Sequence, residues 1–196
     1  TLCLSTTSGA VAARPVPCAS DALVGGSAWT IQTRGTLDRL GSTRPTEVLV
    51  SGEHGAGKTH IARTLHAATG RSALPCLLYG CTAAAHANVD LFGAPATVGG
   101  GLARAVQGGT LILDDVDRLD ARLQERLVAW VNERAAAREE TPLVVGLTTV
   151  LGRDAPLLDW LGRVAISVPP LRERQADIEP LASHFLILSA ATLGRS

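Results

Sequence analysis

Two kinds of hydrophobic pattern alternate along this chain. Short apolar runs of about five residues are separated by stretches in which apolar residues recur every three or four positions. The first pattern is typical of buried strands and the second of amphipathic helices. The predicted strands are residues 47–51, 74–79, 110–114, 143–148 and 164–168.

Helices are predicted between these strands. Ser27 is a candidate N-cap for a helix that carries Ile31, Leu37 and Leu40, and Asp177 is a candidate N-cap for the last helix. Further helices are predicted around residues 61–68, 88–92, 119–131 and 178–188. Residues 1–22 show no period, so we interpret them as a linker or disordered segment. Apolar strands that alternate with helices indicate an α/β fold, in which a parallel sheet is covered on both faces.

The composition is that of a globular chain with no net charge. Hydrophobic residues make up 46% and charged residues 18%, and 18 basic residues balance 18 acidic ones. A neutral chain has no overall field that attracts nucleic acid or an anionic membrane, so we expect it to bind neither directly. No apolar run approaches the roughly 20 residues of a membrane helix and no signal peptide is recognisable, which favours a cytoplasmic protein.

Cysteine and histidine spacing gives no sign of a zinc or other metal site. The four cysteines form no C-x-x-C pair, and Cys76 and Cys81 are expected as small buried hydrophobes in the reduced state. The five histidines lack metal-ligand spacing, so we expect surface or loop positions for His54, His60, His66, His86 and His184.

The turn after the first predicted strand fits the phosphate-binding loop (P-loop) pattern G-x-x-x-x-G-K-[ST] in full. Its glycines let successive N–H groups curl around phosphate oxygens at the positive N-terminus of the next helix. Lys58, the only lysine in the chain, would reach the β- and γ-phosphates, and the Thr59 hydroxyl would ligate Mg²⁺. The alternative is a glycine-rich turn that matches by chance. The expected nucleotide contacts are Gly52, Glu53, His54, Gly55, Ala56, Gly57, Lys58 and Thr59.

Two carboxylates stand at the carboxyl end of the third predicted strand, where ligands bind in parallel sheets. Asp114 would hold Mg²⁺ through water, and Asp115 would polarise the attacking water. The alternative is that both only cap the following helix. Thr148 and Thr149 end the next strand, where they provide either a sensor of the γ-phosphate or a simple strand-terminal pair.

Other short sequence motifs precede and follow the P-loop along the chain. The run Pro169–Arg174, Pro-Pro-Leu-Arg-Glu-Arg, is far more specific than the P-loop alone. The shorter stretches are Val24–Ser27, Ile61–His66, Leu91–Gly93, Gly108–Leu111, Leu123–Leu127, Asp177–Ile178 and Leu181–Ala182. Together they resemble, over about residues 23–186, the central AAA+ domain of the sigma-54-dependent bacterial transcription activators.

This resemblance implies a P-loop NTPase fold, an αβα sandwich with a five-stranded parallel sheet. The core would cover residues 23–170, and residues 171–196 would begin a C-terminal helical lid that the chain leaves incomplete. In this family the segment containing Val24 and Gly25 lies near the adenine of ATP. The domains self-associate into a ring, hydrolyse MgATP with an arginine finger from the neighbouring subunit, and remodel sigma-54 RNA polymerase. The transcription machinery is therefore the implied partner, reached through a larger protein.

The sequence departs from the family where hydrolysis and polymerase contact are concerned. The family's Gly-Ala-Phe-Thr-Gly-Ala loop, which touches sigma-54, is missing after Leu91–Gly93. The family's Asp-Glu pair is Asp114-Asp115 here, and its sensor Asn is Thr149. The two arginine-finger positions fall on Asp154 and Trp160, with Arg153 and Arg163 nearby.

These departures leave two functions open. One is a weak or conditional ATPase domain of a bacterial transcriptional regulator. The other is a hydrolysis-deficient nucleotide-binding switch or oligomerisation module that does not remodel the polymerase. Retention of Lys58 argues against a relic that binds no nucleotide, and the run Pro169–Arg174 argues against a small-molecule kinase.

Overall fold

The computed structural model describes residues 14–15, 23–83, 86–93, 101–137, 139–150 and 156–192. The strands in these ranges are β1 (Arg14–Pro15), β2 (Glu47–Gly52), β3 (Cys76–Gly80), β4 (Thr110–Asp114), β5 (Leu143–Thr148) and β6 (Ala165–Val168). The α-helices are α1 (Ala28–Thr43), α2 (Lys58–Ala68), α3 (Ala87–Phe92), α4 (Leu102–Ala105), α5 (Ala121–Ala136), α6 (Pro156–Leu161) and α7 (Ile178–Thr192).

The strands form one sheet in the order β1-β3-β4-β5-β2-β6. Strands β2 to β6 are parallel, which confirms the predicted five-stranded parallel sheet. Strand β1 was not predicted: it pairs antiparallel with β3 at the sheet edge, inside the segment 1–22 interpreted as a linker. Two residues are too few to show a period, and Pro15, which has no amide N–H, is tolerated only at such an edge.

The alternation of side chains along the strands divides the core between the two faces of the sheet. On one face, Leu111 and Leu113 of β4 pack in a buried cluster with the apolar stripe of α5 and with α6. On the other face, Ile112 packs with Val48 and Val50 of β2 and with the buried side of α2. Helices on both faces bury the central strands β4 and β5 almost completely, which explains why these two strands read as apolar runs.

Local sequence signals set the starts of three helices. Ser27 caps α1 as predicted, since its side chain accepts a hydrogen bond of 3.2 Å from the Thr30 amide. Asp120 caps α5 in the same way through the Leu123 amide, at 2.9 Å. Helix α2 differs, because Gly57 precedes it and provides no side-chain cap.

Some predicted boundaries and buried faces are corrected by the structure. Strand β3 starts at Cys76 instead of residue 74, because Pro75 cannot donate to the ladder. Helix α4 lies in the alanine- and glycine-rich stretch that gave no periodic signal. Ile31, one of the apolar residues that marked α1, is 58% exposed, and Phe185 of α7 is 60% exposed.

Other predictions concern buried groups and membranes. Cys76 and Cys81 are both buried, as predicted, and neither forms a disulfide with another described residue. His66 was expected at the surface but is fully buried on α2, with Nδ1 2.8 Å from the Thr110 hydroxyl, and burial together with nearby Arg71 lowers its pKa. Within the ranges described above, no cluster of three or more His, Cys, Asp or Glu side chains could hold a metal. In the same ranges no helix is long and apolar enough to cross a bilayer.

The last described part of the chain follows β6. Two 3₁₀ turns, Leu171–Glu173 and Gln175–Asp177, lead into α7. Asp177 was predicted to cap α7, but its carboxylate accepts hydrogen bonds from the N-terminus of α1 instead. The proposed division between a core ending at 170 and a lid beginning at 171 stays a prediction.

Candidate nucleotide-binding site

Three neighbouring strands end at one edge of the sheet and bring the predicted site residues together. Strand β2 ends at Gly52, β5 at Thr148 and β4 at Asp114. In register, Ser51 lies opposite Thr148, and Asp114 lies opposite Leu147. The P-loop, the threonine pair and the aspartate pair therefore share the edge at which parallel sheets bind ligands.

The P-loop backbone has the geometry of an anion cradle. A Cβ atom on Gly52 would lie 2.5 Å from the Val168 carbonyl oxygen, so only glycine fits where β2 leaves the sheet beside β6. Gly57 has φ +99° directly before α2, a conformation that L side chains rarely adopt. Because this helix start has no side-chain cap among the residues described, its first N–H groups are available to an anion.

Lys58 lies inside the loop. Its side chain is buried, and Nζ donates to the carbonyl oxygens of Gly52 at 2.9 Å and Glu53 at 3.0 Å. Both acceptors are neutral, so these contacts orient the ammonium group without neutralising its charge. Thr59 follows in the first turn of α2 and is half-buried. This donor set fits a phosphate chain with a hard cation at its side.

Asp114 and Asp115 are both half-buried at the end of β4. Asp115 has φ +53° and starts a 3₁₀ turn, but within the described part of the chain its side chain makes no capping hydrogen bond. Helix α5 is capped by Asp120. The structure therefore does not support the alternative that Asp114 and Asp115 only cap the helix that follows them. Burial and the adjacent carboxylates raise the pKa of the neighbouring Cys81 thiol, which keeps it protonated.

The two threonines at the end of β5 differ in their surroundings. Thr148 is fully buried, and its hydroxyl lies 3.0 Å from Oδ1 of Asp117 and accepts from the Val150 amide at 3.1 Å. Thr149 is exposed. Thr148 therefore has a structural role, whereas the sensor role predicted for Thr149 stays a prediction.

The segment with Val24 and Gly25 is held beside α1. Arg34 donates to the carbonyl oxygens of Leu23 at 2.9 Å and Gly25 at 2.8 Å. A Cβ atom on Gly25 would lie 2.3 Å from Oδ1 of Asp177. The close approach of Asp177 thus requires glycine here, and both Val24 and Gly25 remain half-buried.

The run Pro169–Arg174 contacts the P-loop, a function that sequence reasoning did not assign to it. Arg172 Nη1 donates to Glu53 Oε2 at 2.8 Å, and this hydrogen bond and the charge of Arg172 lower the pKa of Glu53. Arg174 Nη2 donates to the Ala56 carbonyl oxygen at 2.6 Å. Each pair is more than a hundred residues apart in sequence, so no local pattern could have indicated it.

Asp177 was also missed as a site residue. It is fully buried and accepts from the Ser27 amide at 2.7 Å, the Ser27 hydroxyl at 2.9 Å and the Thr30 hydroxyl at 2.7 Å. Burial alone would raise its pKa, but the hydrogen bonds from Thr30 and Ser27 hold the pKa below the ordinary value. Because Asp177 directly precedes an apolar helix, the sequence pattern indicated an N-cap. Its contacts with the distant residues Ser27 and Thr30 leave no local pattern.

The predicted arginine-finger positions are only partly within the described residues. Trp160 is 5% exposed and packs in the core beside α5, so it is not available to a neighbouring subunit. Arg163, just before β6, is exposed. Arg153, Asp154 and the stretch 94–100 after Leu91–Gly93 lie outside the described residues.

Comparison with known proteins identifies the family. A family model described as the sigma-54 interaction domain matches residues 23–141. The chain is 30% identical over 215 residues to the putative uric acid sigma-54-dependent transcriptional regulator UacR of Escherichia coli, covering 97% of this chain and 36% of that protein. It is 31% identical over 193 residues to the nitrogen assimilation regulatory protein NtrX of Azorhizobium caulinodans, covering 88% of this chain and 42% of that protein.

Solved structures share the fold. NtrX from Brucella abortus in complex with ATP superposes with a TM-score of 0.72 at 24% identity, over 88% of this chain and 44% of that chain. Its ADP complex gives 0.73 at the same identity, over 88% and 42% of the two chains. The chain thus spans less than half the length of the relatives it matches. The chain, with its P-loop and the run Pro169–Arg174, belongs to the sigma-54 interaction domain family, the AAA+ domain of bacterial sigma-54-dependent transcriptional regulators.

Proposed function

We propose that this domain binds MgATP at the P-loop and hydrolyses it weakly or conditionally, within a bacterial transcriptional regulator. The observation that carries the proposal is the complete P-loop between β2 and α2, in which Lys58 is buried and hydrogen-bonded to two backbone carbonyls. The structures of NtrX with ATP and with ADP, which share this fold, support the choice of nucleotide.

Each part of the site has a defined role in this proposal. The loop residues Gly52 to Thr59 would surround the phosphates with N–H groups, while Val24 and Gly25 would flank the base. Thr59 and Asp114 would hold Mg²⁺, which when bound neutralises charge on the β- and γ-phosphate oxygens. Both residues carry oxygen donors, which suit a hard cation.

Hydrolysis would depend on two groups at the same edge. Asp115 would orient and polarise the attacking water, and the exposed hydroxyl of Thr149 would contact the γ-phosphate. Asp115 is one methylene shorter than the Glu of the family pattern, so it would hold the water at a different distance. A misplacement of about 1 Å can lower a rate by ~10²-fold. We therefore propose slow turnover.

A second candidate is a nucleotide-binding switch that barely hydrolyses ATP. Trp160 favours it, because this side chain is uncharged and buried, so one of the two expected finger positions has no cation to offer a neighbouring subunit. An arginine finger is worth ~10³–10⁵ in turnover where one has been measured. Arg163 is exposed close to that position and is the residue that would supply a displaced finger.

The proposed partners follow from the family and the charge. We propose self-association into a ring, with the nucleotide between subunits, and action on the transcription machinery through the larger protein. The net charge of zero supports the absence of direct nucleic-acid binding by this domain. The missing family loop after Leu91–Gly93 argues against direct remodelling of sigma-54 polymerase. A cytoplasmic location follows from this role.

The test is steady-state ATP turnover of the full-length protein across a concentration series, with Lys58→Ala as the control. Turnover per subunit that rises with concentration and disappears in Lys58→Ala would establish a ring ATPase with a displaced finger. Background turnover in protein that binds ATP by calorimetry would establish the switch. The proposal as a whole is wrong if the wild-type protein neither binds nor hydrolyses MgATP.

A further inference from the structure

Arg174 and Asp177 connect two segments that the proposed function assigns to nucleotide binding. Arg174 Nη2 donates to the Ala56 carbonyl oxygen of the P-loop, and Nη1 lies 3.7 Å from Oδ2 of Asp177. Asp177 in turn accepts three hydrogen bonds from Ser27 and Thr30, which adjoin the segment with Val24 and Gly25. A pair of opposite charges therefore joins the P-loop to the start of α1.

Both side chains of this ion pair are buried, which restricts the positions they can adopt. The Arg174 side chain is 10% exposed and that of Asp177 is 0% exposed. The guanidinium carbon lies 4.9 Å from the ring centre of Trp29, whose Nε1 donates to the Ser167 carbonyl oxygen at 2.8 Å. The neighbouring pair Arg172–Glu53 contrasts with it, because both side chains are more than half exposed and screened by water.

The carbonyl contact also fixes an amide on the other side of the same peptide. A peptide unit is planar and trans, so the C=O of Ala56 and the N–H of Gly57 point in opposite directions. By holding the Ala56 oxygen in one direction, Arg174 directs the Gly57 N–H the opposite way. An amide that is oriented in advance binds an anion more tightly than one that must first rotate.

We propose that Arg174 is a positioning residue for phosphate binding, which orients the Gly57 amide through the Ala56 carbonyl, and that Asp177 acts through Arg174. This inference rests on the proposed function and adds to it two residues outside the P-loop. It differs from a purely structural role, because it requires a change in ligand affinity of protein that remains folded.

The first experiment compares MgATP with inorganic tripolyphosphate by calorimetry. In Arg174→Gln we expect the dissociation constants of both ligands to rise about 10-fold, the effect of one lost charge-assisted hydrogen bond. Tripolyphosphate has no base, so an equal loss identifies the phosphate cradle. Arg174→Lys should recover part of the affinity, since an ammonium group can still donate to Ala56. The matched control is Arg39→Gln on the exposed side of α1, which should bind as the wild type does.

The second experiment tests the order of action with Asp177→Asn and its exposed control Asp38→Asn. Asp177→Asn should weaken binding of both ligands, and much less so when Arg174→Gln is already present, because one residue acts through the other. If Asp177→Asn does not fold, Thr30→Val replaces it, since that change removes one of the three donors. Thermal unfolding of every variant establishes that affinity is measured on folded protein.

The outcomes separate the inference from the function on which it rests. Unchanged affinity in folded Arg174→Gln, with only a lower melting temperature, would overturn the inference and leave ATP binding intact. Loss of affinity for MgATP alone would also overturn it, because the phosphate probe would then be unaffected. Additive losses in the double variant would refute the part assigned to Asp177. Wild-type protein that binds neither ligand would remove the proposed function itself.

Discussion

Replacing Thr148 by valine should destabilise the domain by about 2 kcal/mol, because a buried hydroxyl is lost and the shape is kept. The hydroxyl has one proton, which faces Oδ1 of Asp117 at 3.0 Å and the Val150 carbonyl oxygen at 3.1 Å, and it accepts from the Val150 amide at 3.1 Å. Each such bond contributes about 1 kcal/mol net, and a buried group left unpaired costs about 1–3 kcal/mol. The Asp117 side chain is only 4% exposed, so water replaces its lost donor poorly.

The matched control is Thr149→Val, one residue further along. Thr149 is exposed, so the same chemical change should alter the free energy of unfolding by less than about 0.5 kcal/mol. Urea unfolding followed by circular dichroism measures both variants, and thermal melts should show Thr148→Val lower by about 4–8 °C. If Thr149 is the γ-phosphate sensor, Thr149→Val should lower ATP turnover at unchanged stability. Equal stability losses in the two variants would refute the division of roles.

Three further predictions follow from the site and the core. Lys58→Ala should weaken MgATP binding by at least about 10-fold in calorimetry, because a buried charge-assisted contact to phosphate is lost, and unchanged affinity would exclude the P-loop as the binding site. Gly146→Ala places a Cβ atom 2.5 Å from Cδ1 of Leu161 and should cost about 1–3 kcal/mol in urea unfolding. Gly35→Ala should instead stabilise α1 by up to about 1 kcal/mol, because among the described residues nothing outside its own helix lies within 4 Å of the added Cβ atom. The reverse order would contradict the packing at β5. The pKa of Asp177 is lower in the folded state than the ordinary 3.8, so its contribution to stability is present above that value and lost as the pH falls below it. Acid unfolding of Asp177→Asn should therefore depend less on pH in that range than acid unfolding of the wild type, and identical curves would count against the buried carboxylate.

Those parts of the fold that depend on neighbouring residues could be predicted from the sequence. The strands β4 and β5 are continuously apolar because helices cover both faces of the sheet, so each appears as a single run. The cap at Ser27 and the P-loop depend on contacts within a few residues, which a local pattern can record. Strand β1 gave no signal in the sequence, since two residues are too few to show a period.

The parts that could not be predicted depend on distant partners. Arg174 meets Ala56 across 118 positions, and Asp177 meets Ser27 across 150. In the sequence, Asp177 occupies the position of an N-cap for α7, but the prediction that it caps this helix was wrong. His66 was expected at the surface because histidine is polar, yet its hydrogen bond to Thr110 permits burial. In each case the tertiary contact determined the role of a residue whose local signal indicated another.

The distribution of departures from the family pattern has a physical consequence. Phosphate binding needs the loop amides and Lys58, which one chain supplies, whereas fast hydrolysis needs a well-placed carboxylate and an arginine from a second subunit. Under the proposed assignment, the chain keeps the first set and departs from the second at Asp115 and Trp160. A domain of this kind can still do work by binding, because a ligand that prefers one conformation shifts the population by its differential affinity. The contact from Arg174 to the P-loop connects the segment that leads directly into α7 with the proposed nucleotide site.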